Sequence, residues 1–379
     1  MRMVFKNSLL FQPVNIWKGR RKFISKSFSQ PILNSFVQYF NENSNVLVKV
    51  LRNFNHDLYS VFGRYTFDTF TEAIVGRNYH LQTDLNNKLL EEMDVIQHFL
   101  GCEYFVRGCC FGVLMRIKDF LCHGWHALWV ILKFRRFLAD KVRCRMAEFD
   151  KCPVVDSQLS FVDAMLNRKD IFPRKIIETE FILFASAATD TTGNSLVFIF
   201  TLLGMYPEIQ EKVFEEIVTN IGRDEPIEVD HLTKLKYTER VIFECMRLLP
   251  SVTEVSRYIS KDIKIGDKTF PKGTNISIYI LGVHRNSKYW PNPDKFDPDR
   301  FLPEEIAKRP PYAYILFSAG PRNCIGKMFA TMSIKVVVAN VIRNFRVSSK
   351  YRSIDEMEMR CYMTMRTKHD IDCHFTPRD

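Results

Sequence analysis

The ten residues FSAGPRNCIG, at positions 317–326, surround one cysteine with residue types that suit a flat anionic ligand. Gly320 permits a tight turn, and Gly326 lets a bulky planar group approach the start of a following helix. Cys324 lies near that predicted helix N-terminus, where free amides and the helix dipole favour a thiolate. Arg322 carries a forked donor that matches a carboxylate. The segment therefore predicts a thiolate that faces a flat, metal-bearing, carboxylate-bearing group.

Haem with a cysteine axial ligand is such a group. A buried structural cysteine in a turn is the alternative for any isolated cysteine. Here F-x-x-G-x-R-x-C-x-G is matched in full from Phe317 to Gly326, which composition alone would give in about one in ten thousand chains. The loop resembles the haem-ligand loop of the cytochrome P-450 haem-thiolate monooxygenases, and Cys324 is then the axial ligand of the iron.

The segment AATDTT, at 187–192, resembles the oxygen-activation motif of the same family. Its chemistry requires protons, and an acid beside an alcohol on one helix is a plausible relay, so Asp190 and Thr191 are the candidate catalytic residues. A polar break in a buried helix is the alternative reading. Ala188 stands where the family usually has glycine, which narrows the expected oxygen groove beside the cofactor.

Three further positions resemble the family's partners of the haem propionates. WKGRR contains Trp17 and Arg21 one helical turn apart, and Arg257 lies in SRYIS on the first predicted strand. With Arg322 they supply three arginines for two carboxylates, although each arginine alone could be a surface charge.

ECMR, at 244–247, resembles the family's E-x-x-R helix motif, and DPDRF, at 297–301, its later P-E-R-F segment, with Asp299 in place of glutamate. Glu244 and Arg247 are one turn apart and can pair, and Arg300 can complete the cluster. The resemblance implies a structural role beneath the haem. An exposed ion pair is the alternative.

The 379 residues carry a net charge of +11 and include ten cysteines and 32 phenylalanines. The charge suits an acidic protein partner or an anionic membrane surface, and no nucleic-acid signature accompanies it. The cysteines form no regular framework, which predicts reduced, mostly buried thiols facing the cytosol. A zinc site is an alternative for one cluster, although its spacing is not that of known zinc motifs. That cluster is Cys102, Cys109, Cys110, Cys122, His123 and His126.

Hydrophobic periodicity predicts helices over 86–100, 125–146, 206–221 and 232–250, and a long buried helix within 181–206. From 253 the pattern alternates as in strands, residues 285–316 are proline-rich coil, and a last helix follows Cys324. We expect a mainly α fold with a smaller β region, as one domain over 1–379. Residues 1–250 are expected to be mostly helical, and residues 251–379 to mix strands, coil, the cysteine loop and the last helix.

PYAYILFSAGPRNCIGKMFA, at 311–330, together with YTFDTFTEAIVG, at 65–76, most resembles the animal family-4 group, whose members typically oxidise fatty acids or related lipids. Some members tether haem through a glutamate on the central helix. Ala187 occupies the corresponding position, so non-covalent haem b is expected. Haem-thiolate isomerases and dehydratases are an alternative class, but they often lack the acid–alcohol pair.

The resemblance implies NADPH-derived electrons from a flavoprotein reductase that docks near Lys327, with cytochrome b5 as a further donor. It also implies an apolar substrate, a monomer and a place on the cytosolic face of the endoplasmic reticulum membrane. Segment 104–121 mixes aromatic and basic residues and could lie in the membrane interface or form a buried helix pair. The family's N-terminal anchor and first strands have no counterpart before WKGRR. We therefore keep a truncated, non-catalytic haem-binding protein as the alternative to a monooxygenase.

Overall fold

The computed structural model describes residues 5, 7–53, 57–84, 87, 95–96, 125–152 and 160–378. Helices dominate, and the strands are short and concentrated after residue 250. The described helices are α1 (Val14–Ile24), α2 (Gln30–Ser35), α3 (Val37–Arg52), α4 (Leu58–Val75), α5 (Trp125–Lys151), α6 (Phe161–Leu166), α7 (Arg174–Met205), α8 (Pro207–Asn220), α9 (Val229–Lys234), α10 (Lys236–Leu248), α11 (Ile280–His284), α12 (Pro303–Lys308) and α13 (Lys327–Asn344). Short 3-10 turns occupy Ser25–Phe28, Pro298–Phe301 and Ile354–Glu356.

The described strands form four antiparallel pairs of two strands each. They are β1 (Glu254–Tyr258) with β4 (Asn275–Tyr279), β2 (Ile263–Ile265) with β3 (Lys268–Phe270), β5 (Phe345–Ser349) with β8 (Cys373–Pro377), and β6 (Met359–Cys361) with β7 (Met365–Thr367). The expected fold class, mainly α with a smaller β region, is confirmed.

Helix α7 is the long central helix, and it packs against α4, α5, α10 and β5. From Thr192 to Leu203 it is buried on all sides, as its nearly unbroken apolar sequence from Leu196 to Leu203 requires. Gly193 permits the close crossing with α4, because a Cβ at this position would lie 3.3 Å from the backbone nitrogen of Gly63. The predicted buried central helix is confirmed, and no described helix is long and apolar enough to cross a membrane.

The helix predicted over 206–221 is confirmed as α8, whereas other helix predictions differ from the structure. The helix predicted over 125–146 runs on to Lys151, and α7 begins at Arg174, directly after Pro173. The single helix predicted over 232–250 is wrong, because the chain leaves helical geometry at Leu235 and forms α9 and α10 instead. Most of 86–100 and all of 104–121 lie outside the described residues.

The expectation of mostly buried cysteines is also wrong for the part of the chain that the structure describes. Its six cysteines are free thiols, of which only Cys245 and Cys373 are buried. Of the proposed zinc ligands, only His126 is described, and its ring stacks on Trp129 with 6.2 Å between ring centres. No three His, Cys, Asp or Glu side chains of the described residues group as a metal site.

Candidate active site

The cysteine loop closes on itself before α13 begins. The Cys324 N–H donates to the Phe317 carbonyl at 2.9 Å, and the Asn323 N–H donates to the Gly320 carbonyl at 3.0 Å. Gly320 has φ +77° and Ser318 has φ +60°, so two left-handed residues make the turn. Gly326 is the N-cap of α13. The loop thus holds Cys324 in a fixed position just before a helix.

The Cys324 side chain is accessible although protein atoms surround it. Its accessible surface is that of an exposed residue, yet protein atoms surround it closely enough that desolvation by burial raises the pKa of its thiol. The Gly326 N–H and the charges of Arg21 and Lys327 lower this pKa, but burial outweighs them. The expected preference for a thiolate therefore does not hold for the chain alone, and a metal ion would have to supply the charge that favours it.

Gly326 leaves the front of the thiol open. A Cβ at this position would meet a single neighbouring atom, the Cys324 sulfur, at 4.0 Å. A flat ligand can therefore come close to the sulfur and to the start of α13, which is the use that the sequence predicts for this glycine.

Trp17 and Arg21, two of the predicted carboxylate-binding side chains, extend from α1 to the cysteine loop. The Arg322 guanidinium lies 4.6 Å from the centre of the Trp17 ring and donates to the Gln12 carbonyl at 2.7 Å. Arg21 donates to the Asn323 side-chain oxygen at 2.9 Å. Helix α1 therefore lies directly against the cysteine loop, although the two segments are about 300 positions apart in sequence.

Arg257 reaches the same loop from β1 and donates to the Ser318 hydroxyl at 2.9 Å. Burial lowers the pKa of Arg322, and the nearby charge of Arg257 lowers it further. Within the described residues, neither of them nor Arg21 forms an ion pair with a carboxylate. Three close positive charges without an anion from the described chain are chemically suited to a ligand that carries two carboxylates.

Helix α7 offers a second open surface in its middle. Ala187 is exposed, and Leu183, Ala188 and Thr191 are half-buried, while the neighbouring turns are buried. Leu183, Ala187 and Thr191 are four residues apart and share one helix face, and Ala188, three residues before Thr191, lies at its edge. The Thr191 hydroxyl donates to the Ala187 carbonyl at 2.8 Å, which leaves its oxygen able to accept a hydrogen bond.

Asp190 leaves α7 in a different direction from Thr191, because successive side chains of a helix diverge by about 100°. Its carboxylate is buried and accepts from the Thr364 hydroxyl at 2.6 Å and from Arg366 at 2.8 Å. The acid and the alcohol are thus neighbours in sequence that contact different surroundings. Thr364 and Arg366 were missed by sequence reasoning, because one lies in a turn and the other on the short strand β7, and nothing local in the sequence links them to Asp190.

The Glu244 carboxylate on α10 pairs with two arginines. Arg247 donates to its two oxygens at 2.7 and 2.8 Å, and the Arg300 Nε lies 3.4 Å from one of them. Glu244 and Arg247 are fully buried. Arg247 also donates to the His284 carbonyl at 2.8 Å and so joins α10 to α11. The exposed-pair alternative is therefore wrong for Glu244 and Arg247.

These features fit haem, because the Cys324 thiol is accessible, Gly326 leaves its front clear and three arginines lack an anion among the described residues. Comparison with known proteins agrees with this fit. The family model described as Cytochrome P450 matches residues 2–372. The chain is similar to rat cytochrome P450 4V2, at 32% identity over 89% of this chain and 67% of the relative.

It is also similar to human cytochrome P450 4V2, at 31% identity over 96% of this chain and 72% of the relative. Drosophila melanogaster cytochrome P450 4c3 is 29% identical over 96% of this chain and 72% of its own length. All three relatives carry family-4 names, and these likenesses do not favour the non-catalytic alternative. The chain belongs to the cytochrome P450 family of haem-dependent monooxygenases.

Proposed function

We propose that this protein hydroxylates an apolar lipid, a fatty acid or a related molecule, at a haem whose iron is bound by Cys324. The observation that carries the proposal is the open Cys324 thiol beside three arginines that have no carboxylate partner in the described part of the chain. Arg21, Arg257 and Arg322 would bind the two propionates, with Trp17 packed against Arg322. When bound, haem supplies the oxidising chemistry by activating dioxygen.

The residues of α7 are proposed to handle the protons that the reaction needs. Thr191 lies on the open face of the helix, where its hydroxyl oxygen can accept a hydrogen bond and pass a proton on. Asp190 would serve as the nearby acid from its buried position against β7. Ala188 shares the open face with Thr191, and its methyl group narrows the space there compared with glycine. Glu244, Arg247 and Arg300 are assigned a structural role.

Ala187 supports non-covalent haem, because a methyl group cannot form an ester to the porphyrin. Proteolysis followed by mass spectrometry tests this assignment. Release of unmodified haem is expected, and a peptide that retains haem would contradict it. The apolar substrate class rests on the likeness to family-4 proteins, and the half-buried Leu183 and the exposed Ala187 beside Thr191 are compatible with it.

Electrons are proposed to come from NADPH through a flavoprotein reductase, with cytochrome b5 as a second donor. The exposed Lys327 and Met328 at the start of α13 lie beside the cysteine loop and suit an acidic partner. A peripheral position on the endoplasmic reticulum membrane and a monomeric state complete the proposal. Segment 104–121, the predicted interfacial segment, lies outside the described residues.

Turnover of the haem-reconstituted chain with reductase, NADPH, dioxygen and a panel of fatty acids tests the function. We expect hydroxylated product, and we expect Thr191→Val or Asp190→Asn to lower its formation by about 10²-fold, as for a positioned proton-transfer group. Thr201→Val is the matched control. The Thr201 hydroxyl, like that of Thr191, donates to the carbonyl four residues before it, but Thr201 is fully buried and away from the open face of α7. Absence of product in a haem-loaded preparation would contradict the proposal.

A further inference from the structure

The C-terminal hairpin (Met359–Thr367) reaches the buried acid of the central helix. It pairs β6 with β7, and its second strand and the turn before it lie against α7. Arg366 lies on β7, and Thr364 lies in the turn directly before it. Both side chains reach Asp190, which lies 174 and 176 positions earlier in the chain.

The hairpin holds both oxygens of the Asp190 carboxylate. Thr364 donates its hydroxyl to Oδ2 at 2.6 Å, and Arg366 donates to Oδ1 at 2.8 Å. The Asp190 side chain is 8% exposed and that of Arg366 is 12% exposed. Two charge-assisted hydrogen bonds to separate oxygens of a nearly buried carboxylate fix its rotation as well as its place.

Arg366 is itself held by the surroundings of α4. Its guanidinium lies 4.9 Å from the centre of the Tyr59 ring, and the Tyr59 hydroxyl accepts from the Thr367 N–H at 2.9 Å. The arginine is therefore stacked on a ring that is tied to the next residue of the same strand.

Thr364 is anchored from α7 and from the segment after α10. The Asn194 side-chain amide donates to the Thr364 hydroxyl oxygen at 3.1 Å, and the Met365 N–H donates to the Ser251 carbonyl at 2.8 Å. Both donors to Asp190 thus have further partners that fix their positions. The side chains of an exposed surface ion pair have no such partners.

We propose that Thr364 and Arg366 are positioning residues for Asp190, so that the C-terminal hairpin sets the orientation of the acid used in the reaction. This inference rests on the proton role of Asp190 in the proposed function. Neither residue needs to contact substrate or cofactor. A displaced carboxylate costs catalysis because proton transfer requires a hydrogen-bonded geometry.

The first test measures the infrared absorption of the Asp190 carboxylate and needs no turnover. The full chain is labelled with carbon-13 at its aspartate carboxyl groups and measured without haem. The Asp190 band is the component of the spectrum that disappears in Asp190→Asn. Arg366→Met and Thr364→Val are expected to shift this band. Arg366→Lys and Thr364→Ser, which keep the donors, are expected to restore most of its position.

Lys368→Met is the matched control, because Lys368 pairs with Glu358 on the exposed base of the same hairpin. It is expected to leave the Asp190 band unchanged. A band that does not move in Arg366→Met or in Thr364→Val overturns the inference, whatever the activity of the variants.

The second test measures product and hydrogen peroxide from the haem-loaded variants with reductase and NADPH. Arg366→Met and Thr364→Val are expected to lower product formation by about 10-fold to 100-fold, the range for a displaced catalytic group, with more peroxide released. If Asp190→Asn lowers product formation while both hairpin variants leave it unchanged, the positioning role is overturned and the proposed function stands. If Asp190→Asn itself leaves product formation unchanged, the proton role of Asp190 in the proposed function fails.

Discussion

Arg322 in the cysteine loop is a partly buried cation with a neutral hydrogen-bond partner and a like charge nearby. Its guanidinium rests on the Trp17 ring and donates to the neutral Gln12 carbonyl, while the charge of Arg257 repels it. A cation in this arrangement gains more from an added carboxylate than a cation that already has an ion pair.

We therefore expect Arg322→Met to weaken haem binding by about 10-fold to 100-fold, because a hydrogen bond to a charged group contributes about 1.5–3 kcal/mol. Absorbance titration of the haem-free chain measures the change. Arg52→Met, at the exposed end of α3, is the control and should bind haem like the unchanged chain. Equal affinity for Arg322→Met would contradict the assignment of Arg322 to a propionate.

Much of this residue-scale site could be predicted from the sequence because its signals are local. Cys324, its glycines and Arg322 lie within ten positions, and their spacing alone indicates the chemistry. The hydrogen bonds to Asp190 could not be predicted, because tertiary packing of a short hairpin brings the donors Thr364 and Arg366 to the carboxylate. The direction of the Cys324 pKa also could not be predicted, since burial, which depends on the whole fold, outweighs the local amides.

At the scale of elements, the buried pair on α10 connects three segments. Glu244 accepts from Arg247 and from the Asp297 N–H at 2.9 Å, while Arg247 donates to the His284 carbonyl. Burial raises the pKa of Glu244, and the hydrogen bond and charge of Arg247 counter it. The carboxylate is therefore needed mainly to satisfy its buried partners.

Glu244→Ala should lower the free energy of unfolding by about 3–5 kcal/mol, because it leaves the Arg247 charge buried without its partner. Glu305→Ala removes the exposed ion pair with Lys308, also three residues apart, and should cost no more than about 1 kcal/mol. Denaturant unfolding of both variants compares the two. Equal losses would mean that the buried cluster does not brace this part of the fold.

Glu180 on α7 makes a different element-scale contact, with the segment before α1. It accepts from the Leu9 N–H at 2.9 Å, and Arg20 lies 3.7 Å away. Desolvation by burial raises the pKa of Glu180 from its ordinary 4.5 to about 7. Between these values the folded chain binds the proton more tightly than the unfolded chain, so this group makes the fold less stable as pH rises.

As the pH rises from 4.5 to about 7, the raised pKa of Glu180 should lower the free energy of unfolding of the unchanged chain by about 3 kcal/mol. Glu180→Gln should remove this part of the pH dependence. Urea unfolding at the two ends of the window measures it, with Glu178→Gln as a control for loss of a negative charge on α7. An unaltered pH dependence in Glu180→Gln would contradict the raised pKa.

Element boundaries were predictable where the signal lay in the sequence itself. The start of α13 follows from the glycines around Cys324, whereas the apolar pattern located α7 only from residue 181 and missed its start after Pro173. The break at Leu235 was not predictable, because Glu216 of α8 accepts from the Tyr237 and Thr238 N–H groups at 2.7 Å each and so starts α10 from another helix. A capping residue from a distant element leaves no mark in the local pattern.

At the scale of the whole molecule, the core is continuous. One cluster of buried apolar residues extends from Phe5 near the N-terminus to Cys373 in the last strand, and α13 packs against both α3 and α8. We propose that the chain is a single domain, as the sequence predicts, and that residues 1–250 and 251–379 unfold together.

Calorimetry should then show one unfolding transition, which haem moves to higher temperature because it binds the folded chain. The haem-free chain and the haem-loaded chain are compared at equal concentration. Two separate transitions, with haem shifting only one, would contradict a single domain.

The central claim is that Cys324 binds haem iron as a thiolate, and the carbon monoxide difference spectrum of the reduced, haem-loaded protein tests it most directly. Cys324→Ser and Cys144→Ser are measured beside the unchanged chain, since Cys144 is an exposed thiol on α5 away from the loop. A strongly red-shifted Soret band is predicted for the unchanged chain and for Cys144→Ser, and its loss for Cys324→Ser. An unshifted band in the unchanged chain, or a red-shifted band that survives in Cys324→Ser, would contradict the claim.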